Sequence, residues 1–252
     1  MQYKYAKEQL DYSDFSSGRV FYSLPGHPAF PVRLASEIFQ RCLAQRKTLY
    51  QVSTPCALYD PCCGAAYHLS VLSYLHREHI REVIASEIDA KAVALAGRNL
   101  GLLYMDGLEK RIHELSDMLK TYGKESHREA LRSASVLKEK LFAFAGKQPL
   151  ETRVFQASAT ARDAISKQIK SKSVDILFTD IPHGRHSQWH ASDRSMLANP
   201  LWSMLDAIYE GLSPSSIVAI ASDKQQKAIH DRFQRIEHFQ IGKRRIVILR
   251  PI

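Results

Sequence analysis

Two stretches of this chain carry residue types suited to chemistry, and each stands where an apolar run gives way to a loop. The first is Asp60-Pro61-Cys62-Cys63-Gly64, directly after Ala57-Leu58-Tyr59. A carboxylate at the end of a strand can face a cation or accept hydrogen bonds. Gly64 permits a close backbone approach that any Cβ would obstruct. The second is Thr179-Asp180-Ile181-Pro182-His183-Gly184, directly after Val174-Asp175-Ile176-Leu177-Phe178. Here the Asp180 carboxylate or a backbone carbonyl can accept from a ring N–H or an exocyclic amine. Pro182 shapes the turn, and the planar His183 side chain can stack on a base turned out of its helix. The plain alternative for each stretch is an ordinary turn at the end of a strand.

The elements that position them follow from periodicity. From Tyr67 the apolar residues Leu69, Leu72 and Leu75 recur at helical spacing, so the first stretch joins a strand to a helix. Such a unit opens a nucleotide-binding α/β fold, with backbone amides and a helix N-terminus turned to the ligand. A strand-end Asp with a single glycine departs from the Gly-x-Gly-x-x-Gly dinucleotide fingerprint, which argues against a dehydrogenase. It is closer to the loop by which class I methyltransferases hold S-adenosylmethionine (SAM). Glu82 to Ser86 form a second strand with Glu87 at its end, where a carboxylate can accept both hydrogen bonds from a ribose diol. Asp89 caps the next helix. Arg153 to Ala159 form a third strand, with Ser158 where an adenine-contacting side chain is expected, and a helix over Ala161 to Ile169 leads into the fourth. Ser216 to Ser222 make a fifth strand, and the last runs from beside Gly242 to near Arg250.

The flanks are more ambiguous. Met1 to Pro31 is aromatic and turn-rich, and a helix follows with Pro31 near its first turn. Arg33, near that helix start, is a candidate for an anionic group such as the amino-acid carboxylate of SAM; a solvated arginine or a local ion pair is the alternative. Tyr104 to Gly146 is a charged, helix-favouring stretch that includes Lys110, Arg111, Lys124 and Arg128, with apolar Leu131, Leu137 and Leu141. It is expected to be a helical hairpin inserted into the α/β unit, either as a wet face or as a source of phosphate contacts. Arg185 to Asn199, with Arg185, His186, Trp189 and His190, has the composition of a substrate loop. The histidines there have no carboxylate at ligand spacing, so no metal is expected.

Bulk composition narrows the class. The chain has 252 residues, 45% of them hydrophobic, which suits one large domain or one domain with an insertion. Lys and Arg outnumber Asp and Glu by 35 to 26, a net charge of +9 that suits a polyanionic partner. Four cysteines, two of them adjacent, make neither a disulfide framework nor a zinc site. A polar N-terminus and the lack of a long apolar run point to a soluble, cytoplasmic protein with no membrane partner.

With these residues in place, the chain resembles the AviRa family of avilamycin-resistance rRNA methyltransferases over nearly its whole length. The resemblance is carried by HPAFPVRLASEIFQR (His27 to Arg41), DPCCG (Asp60 to Gly64), REVIASEIDA (Arg81 to Ala90), TDIPHG (Thr179 to Gly184) and IGKRRIVILR (Ile241 to Arg250). It implies a Rossmann-like class I methyltransferase fold, a mostly parallel seven-stranded sheet with helices on both faces. The domain spans 1–252, with an N-terminal extension over 1–45 and a basic helical insertion over 104–150. It also implies SAM as methyl donor and a guanine of 23S rRNA, free or in the large ribosomal subunit, as acceptor. Asp60, Cys62 and Gly64 then line the methionine part of SAM, Glu87 holds the ribose, and Asp180, Pro182 and His183 face the base. Three departures stand out: Ala66 replaces a common glycine, Ser158 a usual Asp, and His183 a usual aromatic. Ring N1 and exocyclic N2 both remain open as the methylated atom. The rivals are a methyltransferase acting on tRNA, DNA or another amine, and a non-catalytic RNA-binding protein on the same scaffold. The oligomeric state is open, with a monomer as the default.

Overall fold

The computed structural model describes residues 3–24, 29–181, 199–222 and 228–252. Seven strands form one sheet: β1 (Cys56–Asp60), β2 (Ile80–Glu87), β3 (Glu151–Gln156), β4 (Val174–Asp180), β5 (Leu212–Ser222), β6 (Phe233–Ile241) and β7 (Arg244–Pro251). Their order is β3-β2-β1-β4-β5-β7-β6. The pairs β1–β2, β2–β3, β1–β4 and β4–β5 are parallel, while β7 runs antiparallel to both β5 and β6. Between β1 and β4 the strand order reverses direction, which opens a crevice beyond their carboxyl ends.

Strand residues alternate between two cores. Leu58, Val83, Ile176, Phe178, Ile217 and Ile246 face one side. There they meet α1 (Val32–Tyr50), α2 (Tyr67–Leu75) and α3 (Ala90–Gly101). Tyr59, Ile84, Leu177, Val218 and Val247 face the other, against α6 (Arg162–Gln168) and α7 (Pro200–Ile208). All five residues of β1 are buried, as a central parallel strand covered on both faces requires. Between α3 and β3 lie α4 (Met105–Tyr122) and α5 (Glu125–Phe142), packed on each other and joined by the Lys138–Glu109 ion pair. Gly123, in the left-handed conformation at φ +62°, closes α4 and makes the tight reversal possible.

β6 has no counterpart in the sequence reading. Its nine residues, FQRIEHFQI, bury only Phe233 and Phe239, so this edge strand shows no continuous apolar run. Two carboxylates lock the ends of the fold. Asp175, at the start of β4, takes Arg46 (3.1 Å), Arg81 (3.0 Å), the Ala57 N–H (2.9 Å) and the Ser213 hydroxyl (3.1 Å). Glu37, fully buried on α1, accepts the N–H groups of Lys4, Tyr5 and Ala6 at 2.7–2.8 Å and the Arg41 guanidinium at 2.6 Å. Arg41 in turn pairs with Glu237 of β6 and lies 4.1 Å from the Phe239 ring centre.

Burial would raise the Glu37 pKa, but the three amides and Arg41 outweigh it and hold the carboxyl below its ordinary value. A depressed carboxylate stabilises the fold above its unfolded pKa, and that contribution disappears as the pH falls through the folded value. Glu37→Ala takes from the buried Arg41 guanidinium its fully buried partner, leaving it Glu237 alone among the described residues, and frees three amides. It is expected to cost ~3–5 kcal/mol in chemical denaturation at pH 7. The deficit should shrink as the pH drops below about 4.5, and proteases should cut earlier within residues 3–24.

Candidate active site

The β1 and β4 tips lie side by side. Leu58 and Tyr59 pair with Ile176 and Leu177, so Asp60 and Asp180 end neighbouring strands. Asp60 is fully buried. Its Oδ1 accepts from the Cys62 N–H at 2.9 Å, while Oδ2 has no hydrogen-bond partner. His68 Nε2 lies 3.4 Å from that oxygen. Burial pushes the His68 pKa down to about 4, so the ring is neutral and packs on Phe178 and Phe30 at 4.9 and 5.8 Å. Among the described residues Asp60 therefore has no cation beside it. Burial, reinforced by the charges of Glu87 and Asp180, pushes its pKa up to about 8 against the pull of Thr179 and the Cys62 N–H. A buried carboxyl oxygen with no hydrogen-bond partner has the chemistry to accept from a cationic or N–H-bearing group.

The loop after β1 is shaped for that ligand. Gly64 has φ +52°, and no atom lies within 4 Å of where a Cβ would stand. Its N–H donates to Glu87 Oε2 at 3.0 Å, while Glu87 Oε1 accepts from the Ile88 N–H at 2.7 Å. The first strand–helix loop thus reaches the carboxylate at the end of β2; Oε1 also accepts from the Asp89 N–H at 3.3 Å, and Oε2, with one donor, keeps acceptor capacity for another. The half-buried Cys62 has its thiol pushed well up by burial and the nearby acids, so it is no nucleophile. Ser158 lies beyond the end of β3, its hydroxyl 3.0 Å from that of Thr160; the preceding Ala157 N–H bonds the Glu87 carbonyl at 3.0 Å. Asp180 meets Arg244, the first residue of β7, whose Nη1 donates to both carboxyl oxygens at 2.7 and 2.8 Å. Arg244 was not singled out from the sequence, although it lies in the quoted IGKRRIVILR block.

Arg33 and Arg111 have partners of their own. Arg33 binds the carbonyls of Ala6 (2.9 Å) and Lys7 (2.7 Å) and lies 4.0 Å from the Tyr3 ring centre. Its observed partners belong to the N-terminal segment. Arg111 is a correction to the expected phosphate contacts: it is 9% exposed and points inward. Its guanidinium is taken by the carbonyls of Val20 (2.9 Å) and Arg19 (3.2 Å) and by Glu114 (3.0 Å). Lys110, Lys124 and Arg128 are exposed, with Arg128 paired to Glu125 at 2.9 Å. Pro182, His183, Arg185 and Trp189 lie outside the described residues.

This strand order, an antiparallel seventh strand and acids at the tips of β1, β2 and β4 together define a class I methyltransferase. The chain matches the family described as rRNA methyltransferase AviRa over residues 1–244. It is 37% identical over 248 residues to the 23S rRNA (guanine(2535)-N(1))-methyltransferase of Streptomyces viridochromogenes, covering 98% of this chain and 95% of that relative. Two crystal structures of the rRNA methyltransferase AviRa from Streptomyces viridochromogenes superpose on it. One has a TM-score of 0.84 at 35% identity, covering 98% of this chain and 96% of that one; the other has 0.85 at 34%, covering 99% and 96%. The chain belongs to the AviRa rRNA methyltransferase family. The likeness to TrmN from Thermus thermophilus is in fold alone, at TM-score 0.50 and 14% identity over 88% of this chain and 49% of that one.

The raised Asp60 pKa makes a stability prediction. A carboxyl that keeps its proton in the folded state, with a pKa near 8 against 3.8, loses stability as the pH rises between those values. Asp60→Asn removes that loss while retaining an oxygen for the Cys62 N–H. Denaturation at pH 5 and pH 8.5 should show the variant gaining on the parent with pH, by the order of a few kcal/mol. A constant difference between the two proteins would show that Asp60 does not titrate in this window.

Proposed function

We propose that this protein transfers the methyl group of SAM to N1 of a guanine in 23S rRNA. The observation that supports it most directly is the pairing of β1 with β4, which sets a ligand-binding loop beside a strand-end carboxylate. The choice of N1 follows the activity by which the Streptomyces viridochromogenes relative is named.

The side chains at the tips fit a cationic, ribose-bearing donor. The unpartnered Asp60 oxygen suits an ammonium group, Glu87 suits a ribose diol, and the open space at Gly64 admits close backbone contact. Bound there, SAM supplies an electrophilic methyl group on a sulfonium. Holding the acceptor in line with it converts a bimolecular encounter into a positioned reaction, and that is the largest part of the rate gain asked of the site. A protonated guanine N1 is a weak nucleophile, so Asp180 accepts its proton as the bond to carbon forms. Arg33 acts by holding the N-terminal segment on α1. Exposed cations of the α4–α5 hairpin, Lys110, Lys124 and Arg128 among them, give phosphate contacts that set affinity rather than sequence choice.

Incubating the protein with labelled SAM and 23S rRNA, then digesting to nucleosides, is expected to yield N1-methylguanosine by mass spectrometry. Label in another nucleoside, or none in RNA, would remove the reading. Asp180→Ala is expected to abolish transfer, at least 10²-fold in rate, because a general base contributes that much or more. SAM affinity measured by calorimetry should stay within about threefold, less than 1.4 kcal/mol.

A further inference from the structure

Arg244 reaches the site because β7 is the antiparallel strand. Asp180 pairs with Ala221 of β5, and Ala221 pairs with Ile246 of β7. Two residues earlier, the first residue of β7 arrives at the same sheet edge as the last residue of β4. Its guanidinium carbon lies 4.6 Å from the Phe30 ring centre, and Phe30 packs at right angles on Phe178 of β4, 5.5 Å away. Nη1 is the only Arg244 nitrogen bonded to Asp180; among the described residues Nε and Nη2 donate to no protein group. Both side chains remain about one-fifth exposed (18% and 20%), so the pair is set at the surface of the crevice and not sealed beneath it.

The pair presents two acceptor oxygens beside unused N–H donors. The Watson–Crick edge of guanine offers the complement: donors at N2 and N1 and an acceptor at O6. Adenine offers a donor and then an acceptor, which sets its N1 lone pair against a carboxylate. We infer that Arg244 is a catalytic and specificity-determining residue that binds guanine O6 while Asp180 takes the N1 proton. The inference rests on the guanine-N1 reading above. In the step, the N1–H bond breaks and an O–H bond forms on Asp180, while the negative charge passes to the purine and collects on O6. The N1–carbon bond then forms as the methyl–sulfur bond breaks, leaving a neutral thioether and a neutral methylated base. The guanidinium stays beside the negative charge throughout, first on the carboxylate and then on O6, as a preorganised oxyanion donor does. Without that cation, the negative charge on O6 would develop in a site that already holds the acids Asp60 and Glu87.

Arg244→Met separates this role from simple support of Asp180. Among the described residues, Asp60 and Cys62 feel the charge of Asp180 and the neutral His68 that of Arg244, and all three are unchanged in the variant. Single-turnover methylation of 23S rRNA at saturating SAM, followed from pH 6 to 10, is expected to fall about 10²–10³-fold at pH 7, the loss typical of one oxyanion donor. The gap should close with rising pH, because ionisation of N1 in solution then replaces the ionisation that Arg244 assists. A deficit that is constant across the range, or no deficit, overturns the inference. SAM titration and thermal melting verify that the variant is folded. If Arg244→Met loses SAM binding, Arg244→Gln, which keeps a neutral donor, is expected to show a smaller deficit with the same pH convergence, and the same two outcomes overturn the inference there. Failure of the wild type to methylate guanine N1 removes the earlier reading; an active wild type with a parallel variant removes only this one.

Discussion

Acids crowded at one edge of a sheet must be compensated, and this constraint governs the carboxyl ends of β1, β2 and β4. Three carboxylates end three neighbouring strands, and each is handled differently. Glu87 accepts the Gly64 N–H of the β1–α2 loop and the N–H of Ile88 that follows it. Asp180 is paired with a guanidinium brought in on an antiparallel strand. Asp60 accepts one backbone N–H, from Cys62, and among the described residues no cation, and burial keeps it protonated up to a pKa of about 8. The uncompensated position is the one where a cationic ligand gains most by arriving, since its charge replaces a proton. Strand order and charge balance are thus one problem, because a parallel arrangement converges acids at one edge and the antiparallel β7 returns a cation there from its first residue.

The same edge is tied to the outer parts of the molecule through Asn99 on α3, which is fully buried. Its amide nitrogen donates to the carbonyl of Ala65 in the β1–α2 loop (2.8 Å) and to that of Tyr22 (3.0 Å), and its oxygen accepts the Tyr22 N–H at 2.8 Å. The Tyr22 ring lies between the guanidinium groups of Arg98 (3.6 Å) and Arg111 (4.3 Å). Its hydroxyl bonds Glu114 of α4 at 2.8 Å. Loop, N-terminal segment and hairpin therefore share one hydrogen-bonded junction. Arg111 looks from its spacing like another basic residue of a wet face, yet at this junction it serves as a cross-link between elements.

This explains what could and could not be read from the chain. Strands β1, β2 and β4 were legible because each is an apolar run ending in an acid, and α2 and α3 because their apolar or capping residues fall at helical spacing. The acids at 60, 87 and 180 were legible for the same reason: their place follows from local pattern alone. β6 was hidden because an edge strand needs few apolar residues. Arg244 and Asn99 were hidden because their roles exist only through partners 64 and 34 to 77 residues away along the chain. The inward turn of Arg111 was equally nonlocal, since its acceptors include carbonyls at 19 and 20. Periodicity places an element and its end; it carries no information on which distant carbonyl a guanidinium will find.

The departure at Ala66 shows how such distant and local constraints combine. Its φ of +53° is left-handed, a conformation that costs a non-glycine residue ~1–2 kcal/mol. Every backbone polar group there is nevertheless occupied. The N–H donates to the Cys63 carbonyl at 2.8 Å, and the carbonyl accepts the Ser70 N–H (3.0 Å) and hydroxyl (2.9 Å). The methyl group is fully buried. A glycine would relieve the strain but would add freedom to the unfolded and open-loop states, freedom that must be surrendered when a ligand is gripped. Alanine instead places that cost in the folded protein before any ligand arrives. Gly64, two residues earlier, has φ +52° and no atom within 4 Å of where a Cβ would stand, so the loop is fixed in shape at Ala66 and open at Gly64.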